Sequence, residues 1–190
     1  MLNGTIFYNT SQSQEDAGIN NQGWWSPTFA NEDQNDNFFV GSIDLGNGLE
    51  FFRNFFTFDL IGLNEVVTSA ELRLAQAGTS GGVGSVEYTL WDVTTDHTTL
   101  NNNVGVSQAI FDDLGSGITY GSVLANLDGT PDPLVINLNA AALELINRRA
   151  GEFFSIGGTL PVEAPEPATL ALLLLGGGAA AFRARRRRVS

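Results

Sequence analysis

FRNFFTFDL, residues 52–60, is the stretch on which the fold turns. Read with a period of two, Phe52, Asn54, Phe56, Phe58 and Leu60 fall on one side, and Arg53, Phe55, Thr57 and Asp59 on the other. Four of the first five are apolar, so the pattern predicts a β-strand with one face turned to a core. Downstream, Val67 to Ala77 repeats the signal: Ala70, Leu72 and Leu74 alternate with Ser69, Glu71 and Arg73. Val86 to Val93 (VEYTLWDV) repeats it again, with Val86, Tyr88 and Leu90 opposite Glu87, Thr89 and Trp91.

Outward from this block the strands are short and separated by turn residues. Thr5 to Tyr8 reads as a first edge strand, and Ser11 to Gln22 as a polar loop that leads to Trp24, Trp25 and Pro27. Gly78 to Ser85 is a flexible connection, Thr94 to Asn103 a polar one, and Val106 to Leu114 admits a short helix. Ile118 to Leu124 and Leu134 to Leu138 read as strands on either side of the turn Asp128 to Pro133. Asn139 is placed to cap a helix over Ala140 to Arg149, with Ala142, Leu145 and Ile146 on one face and Gly151 past its end. Phe153 to Ile156 closes the body as a strand ahead of Gly157 and Gly158. Many short strands with one or two small helices predict a mainly β fold, an antiparallel sandwich of jelly-roll type, over residues 1–160.

The charge distribution divides the chain. Of the nine basic residues, all arginine, five lie between Arg183 and Arg188, so residues 1–164 carry 20 acidic side chains against four arginines, a net charge of −16. A body of that sign repels nucleic acid and anionic lipid, which excludes nucleic-acid binding. Without cysteine there is neither a disulfide nor thiolate chemistry, and the core alone must hold the domain.

Residues 161–190 follow a different logic. Two prolines in Pro165-Glu166-Pro167 fix φ and remove backbone donors, so residues 161–167 form an extended linker. Residues 168–182, TLALLLLGGGAAAF with Ala168 before them, carry no charge and predict a single membrane-crossing helix. At about 1.5 Å per residue that helix is about 22 Å long, short of a hydrocarbon core of about 30 Å unless the flanking arginines snorkel. Arg183, Arg185, Arg186, Arg187 and Arg188, in the basic tail 183–190, are placed to do so, and they orient the tail toward the cytoplasm.

A Pro-Glu-Pro, an apolar run and terminal arginines in that order resemble the PEP-CTERM sorting signal of Gram-negative bacteria. The resemblance implies an exosortase, a membrane-embedded enzyme that reads Pro165, Glu166 and Pro167 and cuts near them. It also implies an exported cargo of the cell surface or biofilm matrix, associated with exopolysaccharide and held only transiently in the inner membrane. FRNFFTFDL, VTSAELRLAQ, TLWDV and AIFDDLGSGITYGSV together resemble a body that recurs upstream of such tails, and more distantly the sandwich modules that bind carbohydrate. MLNGTIFYNT has no basic n-region and no apolar h-region, so the exported reading requires a leader upstream of Met1.

No catalytic set assembles from the sequence, and the expectation is a non-enzymatic body without a cofactor. Gly78-Thr79-Ser80-Gly81-Gly82 matches G-x-S-x-G, but a strand rather than a helix follows it, and His97 is the only histidine. Asp112-Asp113 and Glu32-Asp33 are adjacent carboxylates that point apart in either secondary structure and read as surface charge. Glu32, Asp33 and Asp36, within NEDQNDN, are candidate oxygen ligands for calcium, but their spacing is not that of an EF-hand and a solvated acidic loop is the expected reading. Trp24 and Trp25 are the candidates for stacking on a glycan ring, with core packing as the competing role.

Overall fold

The computed structural model describes residues 21–31, 38–46, 48–74, 84–126 and 134–161. Within these, eight strands and three short helices follow one another: β1 Gln22–Trp25, β2 Gly41–Asp44, β3 Leu49–Asp59, β4 Glu71–Leu74, β5 Ser85–Asp92, α1 His97–Asn102, α2 Gln108–Asp113, β6 Thr119–Asn126, β7 Leu134–Asn137, α3 Ala140–Arg148 and β8 Phe153–Thr159. The fold is mainly antiparallel β. The larger sheet runs β1-β3-β8-β5-β6, with β2 paired to the first residues of β3, and β4 pairs with β7 in a second, two-stranded sheet.

β3 is the longest strand because almost all of it is usable as sheet interior. Asn54 to Phe56 pair with β1 on one side and with β8 on the other, and Leu49 to Phe52 pair with β2. The even-numbered side chains meet the expected core. Phe56 and Leu60 join Leu72, Leu74, Tyr88, Leu90, Tyr120, Ile136, Ile146, Phe154 and Ile156 in one cluster, so the two sheets and α3 close over a common apolar layer. Val86, Tyr88 and Leu90 point into it from β5 as their alternation predicts.

The expectation that only one face of β3 is buried is corrected. Phe55, on the opposite face, is fully buried, and Thr57 nearly so. They are covered by α1 and α2, whose Leu100, Ile110 and adjoining Leu114 form a second cluster with Trp25 and Phe55. Thr94 to Asn103, expected to be a polar connection, therefore contains a helix: the Asp96 carboxylate accepts from the Thr98 and Thr99 amides as its N-cap, and Asn103 closes it in the left-handed conformation. Two short helices lay their few apolar residues on an already formed sheet, which periodicity within six residues cannot reveal.

Gly157 and Gly158 do not end β8, as the sequence suggested; they are part of it. A Cβ at Gly157 would lie 2.5 Å from the Leu114 carbonyl oxygen, so glycine lets the end of α2 rest directly on the sheet. On the other face, a Cβ at Gly158 would collide with the Tyr88 hydroxyl and Asn54 Oδ1. That space is occupied by a hydrogen bond in which the buried Tyr88 hydroxyl donates to Asn54 Oδ1 at 2.8 Å. Burial pushes the Tyr88 pKa up, the Asn54 contact offsetting part of the rise, so the phenol stays a donor.

The remaining differences are of extent. Of the strand expected over 67–77, residues 67–70 are not strand, Glu71–Leu74 is, with Leu72 and Leu74 its buried members, and 75–77 lie outside the described residues. Asn139 caps α3, accepting from the Ala142 amide at 3.1 Å, as predicted. The strand proposed at Thr5 to Tyr8, the turn at 128–133 and the crossing helix at 168–182 lie outside the described residues.

Candidate functional site

Trp24 and Trp25 sit in β1, paired with Asn54 and Arg53, and neighbouring strand residues point to opposite faces. Trp24 is 7% exposed and packs edge-on against Phe52, with ring centroids 5.0 Å apart, and against Phe29 at 6.1 Å. Trp25 is 4% exposed, lies in the helical cluster, and donates from its indole nitrogen to the Leu100 carbonyl at 3.2 Å. Sugar stacking needs an open ring face, and neither indole presents one. The two tryptophans are adjacent because β1 is buried on both sides.

The carboxylates noted in the sequence have structural partners where they are described. Asp113, at the end of α2, accepts from the amides and hydroxyls of both Thr94 and Thr95 at 2.6–3.3 Å. Burial pushes its pKa up, but the four donors together outweigh that and hold it below the ordinary value of 3.8. Asp112 points elsewhere and accepts from Gln108 at 2.8 Å. Asp92 accepts from the Ile118 amide at 2.6 Å. His97 opens α1 and stacks on Phe153 with ring centroids 4.1 Å apart.

Arg53 is the one half-buried cation beside these acids. Its guanidinium lies 4.1 Å over the Phe111 ring and donates to the Phe111 carbonyl at 2.7 Å, so it caps the end of α2. Burial lowers its pKa, with Asp112 pulling the other way. Arg53 thus fastens the end of α2 to β3, and Asp113 ties the same end back to Thr94 and Thr95 ahead of α1. The sequence reads Asp113 as surface charge and Arg53 as a residue of the strand's polar face, because each acts on backbone groups about 18 to 58 residues distant, where no local motif forms.

Among the described residues, no group of three or more His, Asp or Glu side chains is placed to hold a metal ion. Glu32, Asp33 and Asp36 lie outside the described residues, as do Ser80 and the glycines around it. Also among the described residues, no helix is long and apolar enough to cross a membrane. Pro165, Glu166, Pro167 and the five terminal arginines are not described either, and the last positioned residues, Leu160 and Pro161, lead toward them directly from β8.

Neither a curated protein nor a solved structure matches the chain. A family model does, over residues 163–188, and its description is the PEP-CTERM protein-sorting motif. The matched segment contains the Pro-Glu-Pro, the apolar run and the arginine cluster in their expected order. The chain therefore carries a PEP-CTERM sorting signal, the mark of an exported protein targeted to an exosortase.

Proposed function

We propose that this is a protein of the cell surface or extracellular matrix, delivered by exosortase cleavage near Pro165–Pro167, whose body is a jelly-roll-like sandwich that works by contact and not by catalysis. The observation that carries the reading is the sorting motif at residues 163–188. In this reading the apolar run 168–182 crosses the inner membrane with its arginines in the cytoplasm, and it holds the body outside until the cut. The body then joins a biofilm matrix in which exopolysaccharide is the surrounding polymer.

Support for a non-catalytic body comes from the use its polar groups are put to. Asp92, Asp96, Asp112 and Asp113 accept hydrogen bonds from the protein itself, and the Arg53 guanidinium is spent on a helix end. An acidic surface with the charges left over keeps the released domain soluble by self-repulsion. The reading assigns the body no cofactor.

The test is Glu166→Ala in the producing cell, followed by immunoblotting of membrane and medium fractions against the body. The expected result is a full-length form that accumulates in the membrane while the shorter form is lost. If the substitution leaves the ratio of the two forms unchanged, the motif is not what the processing enzyme reads.

A further inference from the structure

The β2–β3 hairpin exposes apolar side chains on both of its faces. Ile43, Leu45 and Leu49 are 40%, 47% and 58% exposed, and they surround a turn in which the Gly46 amide donates to Asp44 Oδ1 at 2.8 Å. In the register Ile43↔Glu50 and Asp44↔Leu49, Ile43 lies on one face and Leu49 on the other. A hairpin buried on one side in a domain would show apolar residues on that side alone. The tip thus carries an apolar side chain on each face beside the acidic Asp44 and Glu50, which suits a shallow interfacial contact with a soft apolar phase.

Exposure by itself does not choose this end, since Ile61 and Val66, 66% and 79% exposed, lie beyond the other end of β3. The exit of the chain does choose. β8 runs antiparallel to β3 with Gly158 opposite Asn54, so Leu160 arrives level with Phe52. There its side chain comes within 3.5 Å of where a Cβ of Gly41 would stand, and Gly41 is the partner of Phe52. From that level the tip lies four residues further in the direction the chain is travelling, about 13 Å at about 3.3 Å per residue. Ile61 lies nine residues behind it, about 30 Å away by the same rise. Six residues lie between Pro161 and the apolar run at Ala168, so seven Cα-to-Cα steps make a tether of at most about 25 Å. With the run in a bilayer, the tether reaches far enough for the hairpin tip to meet the lipid surface and not far enough for the opposite end.

We infer that before processing the hairpin side chains Ile43, Leu45 and Leu49 dock into the outer surface of the bilayer and hold the body in one orientation over the site of cleavage. This rests on the membrane-crossing reading of residues 168–182. The lipid favoured is zwitterionic, because Asp44 and Glu50 on the same hairpin are repelled by an anionic surface. Glu50 is also engaged by the Thr28 hydroxyl, which ties its carboxylate back to the body.

The absence of native cysteine allows a single thiol to be placed at will. Full-length Leu45→Cys, Ile61→Cys and Leu173→Cys, each carrying an environment-sensitive fluorophore, would be reconstituted into phosphatidylcholine vesicles with quenchers on the acyl chains. The expected result is strong quenching at 173, and at 45 at least about threefold more than at 61, as for a shallow interfacial insertion. Adding Ile43→Ser and Leu49→Ser should reduce quenching at 45 and leave 173 unchanged. Strong quenching at 173 with equal, weak quenching at 45 and 61 overturns the docking alone and leaves the patch to a protein partner. Absence of quenching at 173 overturns the membrane-crossing reading and the docking with it.

Discussion

The two faces of the large sheet are held by different means. On one, the β4–β7 sheet and α3 close over a broad apolar cluster of which Phe56, Leu90, Tyr120 and Ile156 are members. On the other, α1 and α2 contribute only a few apolar side chains around Trp25 and Phe55. What fastens them is directional: Arg53 to the Phe111 carbonyl, Trp25 to the Leu100 carbonyl, Thr57 donating to Asn101 Oδ1 at 2.9 Å, and Asp113 to Thr94 and Thr95. Apolar burial scales with area and tolerates repacking, whereas a hydrogen-bonded clamp depends on geometry and protonation state. The first face should therefore set the total stability, and the second should make part of it sensitive to single polar atoms and to acid.

The largest effect is expected on the apolar face. Phe56→Ala removes a buried ring and should cost about 3–5 kcal/mol, read from the urea unfolding midpoint. A cost no greater than that of a clamp substitution would break the distinction. Gly157→Ala tests the close approach of α2, since the new methyl has to displace backbone at Leu114, and a loss of about 1–3 kcal/mol is expected.

Asp113→Ala should cost about 1–3 kcal/mol at neutral pH, because four donors lose a charged acceptor. The sign with pH follows from the lowered folded-state pKa. The stabilisation is complete above the unfolded carboxyl value, is lost as pH falls through the lower folded value, and vanishes once both states are protonated. Wild type and variant should accordingly converge in stability as the pH is taken below about 3.8; a constant difference down to acid would show that the clamp is not ionic. Trp25→Phe keeps most of the ring and loses only the bond to Leu100, with a cost of about 1 kcal/mol. At the bottom of the scale, Ile61→Ser on the exposed turn should stay within about 0.5 kcal/mol of wild type.

What was legible in the sequence follows the same division. Alternation along Phe56–Leu60, Ala70–Leu74 and Val86–Leu90 reports burial of one face, and those side chains do meet in one layer, whereas Phe52 packs on Trp24. Phe55, an apolar residue among Arg53, Thr57 and Asp59, is the trace of a second covered face that alternation alone does not report. The helix at His97–Asn102 was missed because Asp96 and the threonines after it read as loop chemistry as well as a cap. β1 was missed because two tryptophans and a glycine carry no alternation when both faces are buried. The β2–β3 hairpin carries a clearer signal, Gly46-Asn47-Gly48 between short alternating runs.

The sorting segment was legible for another reason: its three elements are contiguous in sequence and are recognised as chemistry, with no need of a partner strand. A body that gives up its fold by pattern and a tail that gives up its role by motif meet at Pro161. The most direct measurement of how they are joined in life is the intact mass of the protein recovered outside the producing cell. A mass that ends near Pro165–Pro167, without the apolar run and the arginines, is the predicted result; an exported protein that retains its full mass through Ser190 would contradict it.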